Sequence, residues 1–392
     1  PKVLSALLYI LEIDRVLLSL VIVYFMIKAI KDKKEGSILF LTGFLVIFLF
    51  SMLDVLTARS VINAPRITKF GLSLMVLLQA IILAKAFTRD FKTTEKLTKS
   101  LSGINQSLSK FVPTEFFKLL GKESFADIKL GDHVQKEMTI LFSDIRAFTT
   151  LSEQMTPEEN FKFINSYLNE ITPIIKKNNG FIDKFIGDAI MGLFPGTADD
   201  AVRASIEIQK TITEFNNSRK SSGLPELKVG IGLHTGDLIL GTIGHDERME
   251  STVISDSVNL ASRIEGLTKF YGSEILISED TFNELEDPYV YKVRLLDNVI
   301  VKGKKDSIFV VEVLDGFSED LLEKFSKTRE LFETGSLMYK QAAFEAAIDY
   351  FKKVLDINPQ DTASAFYLKR AEYYNVHGAP PEWEGIEEFL DK

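Results

Sequence analysis

The feature that most restricts this chain is how unevenly its apolar residues fall. The first 90 positions carry long Leu/Ile/Phe runs and almost no acidic side chains, which a water-facing surface cannot accommodate. Stretches 38–56 and 71–87 approach the roughly 17–25 residues that cross a bilayer core. A third run, 16–27, is shorter and follows Glu12, Asp14 and Arg15. Lys28, Lys31, Lys33 and Lys34 separate the first two runs, and Lys85, Arg89, Lys92, Lys96 and Lys99 follow the last. The positive-inside rule puts both groups in the cytoplasm and outvotes Arg59, Arg66 and Lys69 between the spans. Residues 1–87 are thus expected to be transmembrane helices, and everything after residue 88 to be cytoplasmic. A start at Pro1 rather than Met is expected of a fragment lacking earlier helices or an external sensor, and it is unlike a secretory signal peptide.

The 392 residues suffice for two or three units. The absence of cysteine removes disulfides and thiolate zinc sites. His133, His234, His245 and His377 show no i, i+4 pairing for a metal helix. A net charge of -9 argues against nucleic-acid binding, which needs a basic face.

Residues 88–112 are polar, yet Leu97, Leu101, Ile104, Leu108 and Phe111 recur at steps of 4, 3, 4 and 3. This is the seam of a short coiled coil in a parallel dimer, or else an amphipathic helix packed on its own domain. Gly103 weakens that helix by about 1 kcal/mol relative to Ala. From residue 137 strands and helices alternate. Thr156-Pro157-Glu158-Glu159 opens a helix with an N-cap, a first-turn proline and two carboxylates at its positive end. Gly187-Asp188 reads as a two-residue hairpin between apolar strands. The order β-α-β-β-α-β predicts an α+β fold with a split βαβ, ferredoxin-like core over 113–315. Residues 316–392 read as a helical tail without strand signal. In it Leu331, Gly335, Ala347, Phe351 and Pro359 sit at the offsets of one tetratricopeptide-like repeat. A lone repeat is expected to pack on the preceding domain or on its twin.

Three segments carry chemistry: Phe142-Ser143-Asp144-Ile145-Arg146-Ala147-Phe148-Thr149, Lys184-Phe185-Ile186-Gly187-Asp188, and Thr252-Val253-Ile254-Ser255-Asp256-Ser257-Val258-Asn259-Leu260-Ala261-Ser262-Arg263. Alone, Asp188 reads as a turn residue and Asp144 as a cap at a helix start. In this order and spacing, over roughly residues 110–315, the segments resemble the catalytic domain of the class III adenylate and guanylate cyclases. The resemblance implies that Asp144, Asp188 and the carbonyl of Ile145 hold two Mg²⁺ or Mn²⁺ ions, whose hard-oxygen preference they suit. It assigns Lys184 and Thr252 to the purine. An ammonium donor and a hydroxyl acceptor match adenine, whereas guanine reverses those roles. It gives Asn259 to the ribose, Arg263 to charge on the α-phosphate, and Lys302 to the terminal phosphates. Threonine at 252 is similar to the bacterial subgroup of adenylate cyclases.

In this family the metal ligands and the nucleotide readers face opposite ways on one domain. The resemblance therefore implies a C₂ homodimer with two active sites, each shared between subunits. Two positions depart from the family pattern, because Ala147 and Ser255 stand where glycine is usual. A methyl at 147 is expected to crowd a phosphate-cradling turn, and a side chain at 255 to store strain if φ is positive there. The membrane part resembles the last helices of bacterial seven-transmembrane receptors with intracellular signalling modules. The expected protein is an adenylate cyclase of the bacterial inner (cytoplasmic) membrane, using ATP, with a protein partner possible at the tail. The alternatives are a guanylate cyclase, or a non-catalytic dimeric receptor or scaffold.

Overall fold

The structure is a computed structural model that describes residues 2–34, 36–221, 223–245, 247–301, 306–381 and 383–389. It forms two compact units, Pro1–Ser107 and Leu108–Lys392.

The first unit is made of helices α1 (Lys2–Lys31), α2 (Ser37–Ala58) and α3, which begins at Thr68 and runs to Leu108. Among the described residues, α2 and α3 are long and apolar enough to cross a membrane. The third expected span lies on α1, which is not among those two helices. Asp54, near the end of α2, caps α3. Its carboxylate accepts from the backbone N–H groups of Ile67 (2.7 Å) and Thr68 (3.1 Å), two donors that a helix start leaves unpaired. The α3 helix continues through Gly103 without a break. Leu97, Leu101, Ile104, Leu108 and Phe111 are exposed.

The second unit runs α4 (Thr114–Leu119), β1 (His133–Ile145), α5 (Phe148–Ser152), α6 (Pro157–Lys177), β2 (Phe181–Ile186), β3 (Ala189–Phe194), α7 (Ala198–Ser221), β4 (Val229–His245), β5 (Arg248–Ile254), α8 (Asp256–Tyr271), β6 (Ile275–Ser278), α9 (Glu279–Asn283), β7 (Val293–Val301), β8 (Ile308–Val313), α10 (Glu319–Lys340), α11 (Phe344–Ile357), α12 (Thr362–His377) and β9 (Glu387–Phe389). The ferredoxin-like order holds, with strands side by side as β2-β3-β1-β4, and the sheet continues through β6, β8, β7 and β9. Strands β1 and β4 extend well beyond the predicted segments because they pair antiparallel over thirteen positions, from His133–Gly241 to Ile145–Val229. The predicted capping box at Thr156 and Glu159 is formed at the start of α6.

Alternation along β1 sorts its side chains. Leu141 and Ile145 join α6 and α7 in one core, while Met138, Ile140 and Phe142 pack with α4 and Ala261 of α8 in another. Asp144 shares the parity of Ile140 and Phe142, so the strand sends its carboxylate to the α8 side of the sheet.

The tail is helical, with one correction: the three-residue strand β9 pairs in parallel with β7. So short an edge strand carries no sequence signal of its own. Helices α10 to α12 share a core with α8, β7 and β8. Gly335 lets the ring of Phe351 approach, since a Cβ there would lie 3.1 Å from it.

Candidate active site

Asp144 is the penultimate residue of β1, and Asp188 sits at the tip of the β2–β3 hairpin. Gly187 takes φ +66° there, a conformation glycine adopts without steric cost. The turn folds Asp188 back over the end of β1, where its Oδ2 accepts from the backbone N–H of Ile145 at 3.2 Å. Burial and the adjacent Asp144 carboxylate push the Asp188 carboxyl up to about 7. Two converging carboxylates at one strand end call for a positive charge.

Part of that charge comes from Lys269 of α8, whose Nζ lies 3.1 Å from Asp144 Oδ2. One turn earlier on the same helix face, Glu265 is buried, and burial raises its carboxyl to about 7 while Lys269 opposes the rise. Neither residue was singled out from the sequence. The available signal was their i, i+4 spacing on a helix that also carries Asn259 and Arg263. Among the described residues no three His, Cys, Asp or Glu side chains converge as a metal cluster. Two carboxylates and a backbone carbonyl nevertheless suit Mg²⁺ or Mn²⁺, which take hard oxygens and few protein ligands.

The nucleotide-reading candidates fall elsewhere. Lys184 is exposed on β2, and its Nζ is 3.3 Å from Asp183 Oδ2, an ion pair outside hydrogen-bond geometry. Thr252 is half-buried on β5, opposite Gly241 of β4. Asn259 and Arg263 lie one turn apart on α8, with Asn259 exposed and Arg263 half-buried. The Nη1 of Arg263 is buried and has no hydrogen-bond partner among the described residues. Lys302 lies outside the described residues. At about 100° per residue, Lys269 is turned about 120° around α8 from Arg263 and stands about 9 Å further along it. Asp144 therefore meets Lys269, and Arg263 is offered to a different face.

The departures from the family pattern exchange roles. Ala147 takes φ +52°, ψ 33°, a left-handed conformation that costs a residue with a Cβ about 1–2 kcal/mol. Ser255, expected to store strain, does not, because its φ of -168° is ordinary extended backbone. Its hydroxyl caps α8 by accepting from Ser257 N at 2.9 Å and donates to the carbonyl of Asp237 at 2.5 Å.

Residues 132–312 match the family model for the adenylate and guanylate cyclase catalytic domain. An adenylate cyclase of Anabaena cylindrica is 45% identical over 56% of this chain and 44% of its own length. The terminal-differentiation specific adenylate cyclase of Dictyostelium discoideum is 39% identical over 69% of this chain and 13% of its own. The chain thus spans less than half the length of either relative. The solved structure of a bacterial light-regulated adenylyl cyclase is 25% identical, covering 58% of this chain and 65% of that one with a TM-score of 0.50. Paired carboxylates on β1 and its neighbouring hairpin, the sheet that carries them and these likenesses agree: residues 132–312 are a catalytic domain of the class III adenylate and guanylate cyclase type.

Proposed function

We propose that this chain is a membrane-anchored, homodimeric adenylate cyclase that converts ATP to cyclic AMP and pyrophosphate. The observation that carries the reading is the meeting of Asp144 and Asp188 at the end of β1, in a domain whose relatives are adenylate cyclases. Asp144, Asp188 and the carbonyl of Ile145 would hold two divalent ions. When bound, these supply charge stabilisation and lower the pKa of the attacking 3′-hydroxyl.

The remaining tasks belong to side chains of the partner subunit's copy of the domain. Lys184 donates to the purine ring nitrogen and Thr252 accepts from the exocyclic amine, which selects ATP over GTP. Asn259 orients the ribose. Arg263, permanently charged and with a buried Nη1 unpaired among the described residues, faces the charge that builds on the α-phosphate. Lys302 would grip the terminal phosphates.

Supporting a dimer, large apolar side chains stand exposed on β2 (Phe185, Ile186), β4 (Ile239, Ile243) and β5 (Met249, Ile254). Exposed apolar surface of this kind marks an interaction site. The uncovered seam from Leu97 to Leu108 on α3 is the second support, and it suits a coiled coil that sets the rotation of the two domains. The apolar helices α2 and α3 support anchoring in a bacterial inner membrane, with control passing along α3. Incubation of the purified protein with ATP or GTP and Mg²⁺ or Mn²⁺ tests the reading. Cyclic AMP should form from ATP faster than cyclic GMP from GTP, and the reverse preference would refute the roles of Lys184 and Thr252.

A further inference from the structure

We infer that the C-terminal helices are a positioning device for the reaction, holding α8 so that Asn259 and Arg263 are correctly presented. The inference rests on the roles proposed for those two residues.

The last residue of α8 is the point of attachment. Tyr271 is fully buried, and its hydroxyl donates to Asp297 Oδ2 at 2.6 Å. Asp297 reaches inward because β7 shifts register between Leu295 and Asp297, which leaves Leu296 and Asp297 both buried in succession. From the tail, Phe366 of α12 packs edge-on against the Tyr271 ring at 5.0 Å. Next to it Tyr367, fully buried, donates to the carbonyl of Leu296 at 2.9 Å. Gly272 ends α8 at φ +66°, so close to Thr362 that no side chain could stand between them.

A buried ion triad fixes α12 to the sheet. Arg294 of β7 reaches Glu312 of β8 at 2.6 Å and Asp361 at 2.7 Å, and Asp361 in turn caps α12 through Ser364 N. The Arg294 guanidinium also lies 4.2 Å from the ring centre of Phe332 on α10. Leu260, Ile264, Leu267 and Tyr271 give α8 a continuous stripe against this layer, while Gly232 of β4 lets the opposite side of α8 approach the sheet. Arg263 stands two turns before Tyr271, about 12 Å along a stiff helix. Loosening the α12 contact would therefore displace the α8 end of the active site.

Subunit mixing tests this. A chain with Asp144→Ala and a chain with Arg263→Ala should complement, the first supplying α8 and the second the carboxylates of one working site. Phe366→Ala is then placed in one chain or the other, and Tyr271→Phe likewise, with thermal unfolding confirming that each variant is folded. A reacting group misplaced by ~1 Å costs about 100-fold, so a partial loosening should cost about 5–20-fold. In the Asp144→Ala chain either change should lower kcat by that factor with KM for ATP nearly unchanged. In the Arg263→Ala chain kcat should stay within about twofold. Equal losses in both placements, or no loss in either, would overturn the inference. Failure of the unmodified pair to complement would instead overturn the shared-site reading. The positioning role would then be judged on Phe366→Ala and Tyr271→Phe in the unmixed protein, where it requires the kcat loss at constant KM and is overturned without it.

Discussion

Replacing Lys269 by Gln should tighten the binding of Mn²⁺ in the absence of nucleotide. On the proposed metal site a divalent ion would compete for the Asp144 carboxylate with the Lys269 ammonium, whose nitrogen lies 3.1 Å from Oδ2. The gross attraction at that range is about 5 kcal/mol at an effective dielectric of 20 and about 1 kcal/mol at that of water. Lys269 is 50% exposed and Asp144 24% exposed, so solvent screening and the entropy of a long side chain bring the net toward the values of exposed pairs, about 1 kcal/mol. Releasing that competition corresponds to roughly a fivefold lower Kd. Titration calorimetry, or the electron paramagnetic resonance signal of free Mn²⁺, reads the change directly. Asp144→Ala, which should abolish tight binding, identifies the site. An unchanged or higher Kd in Lys269→Gln would show that the ammonium does not share the metal's place.

Four further outcomes follow from the geometry. The Asp188 carboxyl, raised from 3.8 to about 7, holds a proton that a metal must displace, so Mn²⁺ affinity should fall about tenfold per pH unit below 7 and level off above it. The metal-free protein binds this proton more tightly folded than unfolded, so between pH ~4 and ~7 this group lowers stability as pH rises, and Asp188→Asn should remove that slope in denaturant titrations. Arg294→Met leaves Glu312 and Asp361 buried without their cation, and should cost about 3–5 kcal/mol in denaturant unfolding of the second unit. Ala147→Gly relieves about 1–2 kcal/mol at the positive φ against about 0.4–1 kcal/mol of added unfolded-chain entropy, and should raise unfolding stability by about 0.5–1 kcal/mol.

What could be read from residues alone was whatever local chemistry dictates. The hairpin at Gly187-Asp188, the cap at Thr156 and the alternation of strands and helices each follow from a few neighbouring positions, and each stands where the pattern put it. Asp144, Ile145 and Asp188 were legible as a group and are brought together. Lys269 was not, because its meeting with Asp144 depends on how α8 lies across the sheet, 125 residues away in the chain. The same reason hid the Arg294 triad and strand β9, whose partners are distant in sequence. The condition for strain at Ser255 is not met, because glycine in a family pattern does not reveal which φ the position uses, and here a serine fits as a cap. The run at 16–27 forms part of a long helix, α1.

The central claim is that carboxylates from one polypeptide act with Arg263 from a second copy, and the unmodified mixing experiment measures it most directly. Asp144→Ala and Arg263→Ala should each be inactive as pure proteins. Equal mixing with subunit exchange should restore about a quarter of wild-type cyclic AMP production, one site in each of the half of dimers that are mixed. A mixture as inactive as its components, or an Arg263→Ala protein that retains full activity on its own, would contradict the account.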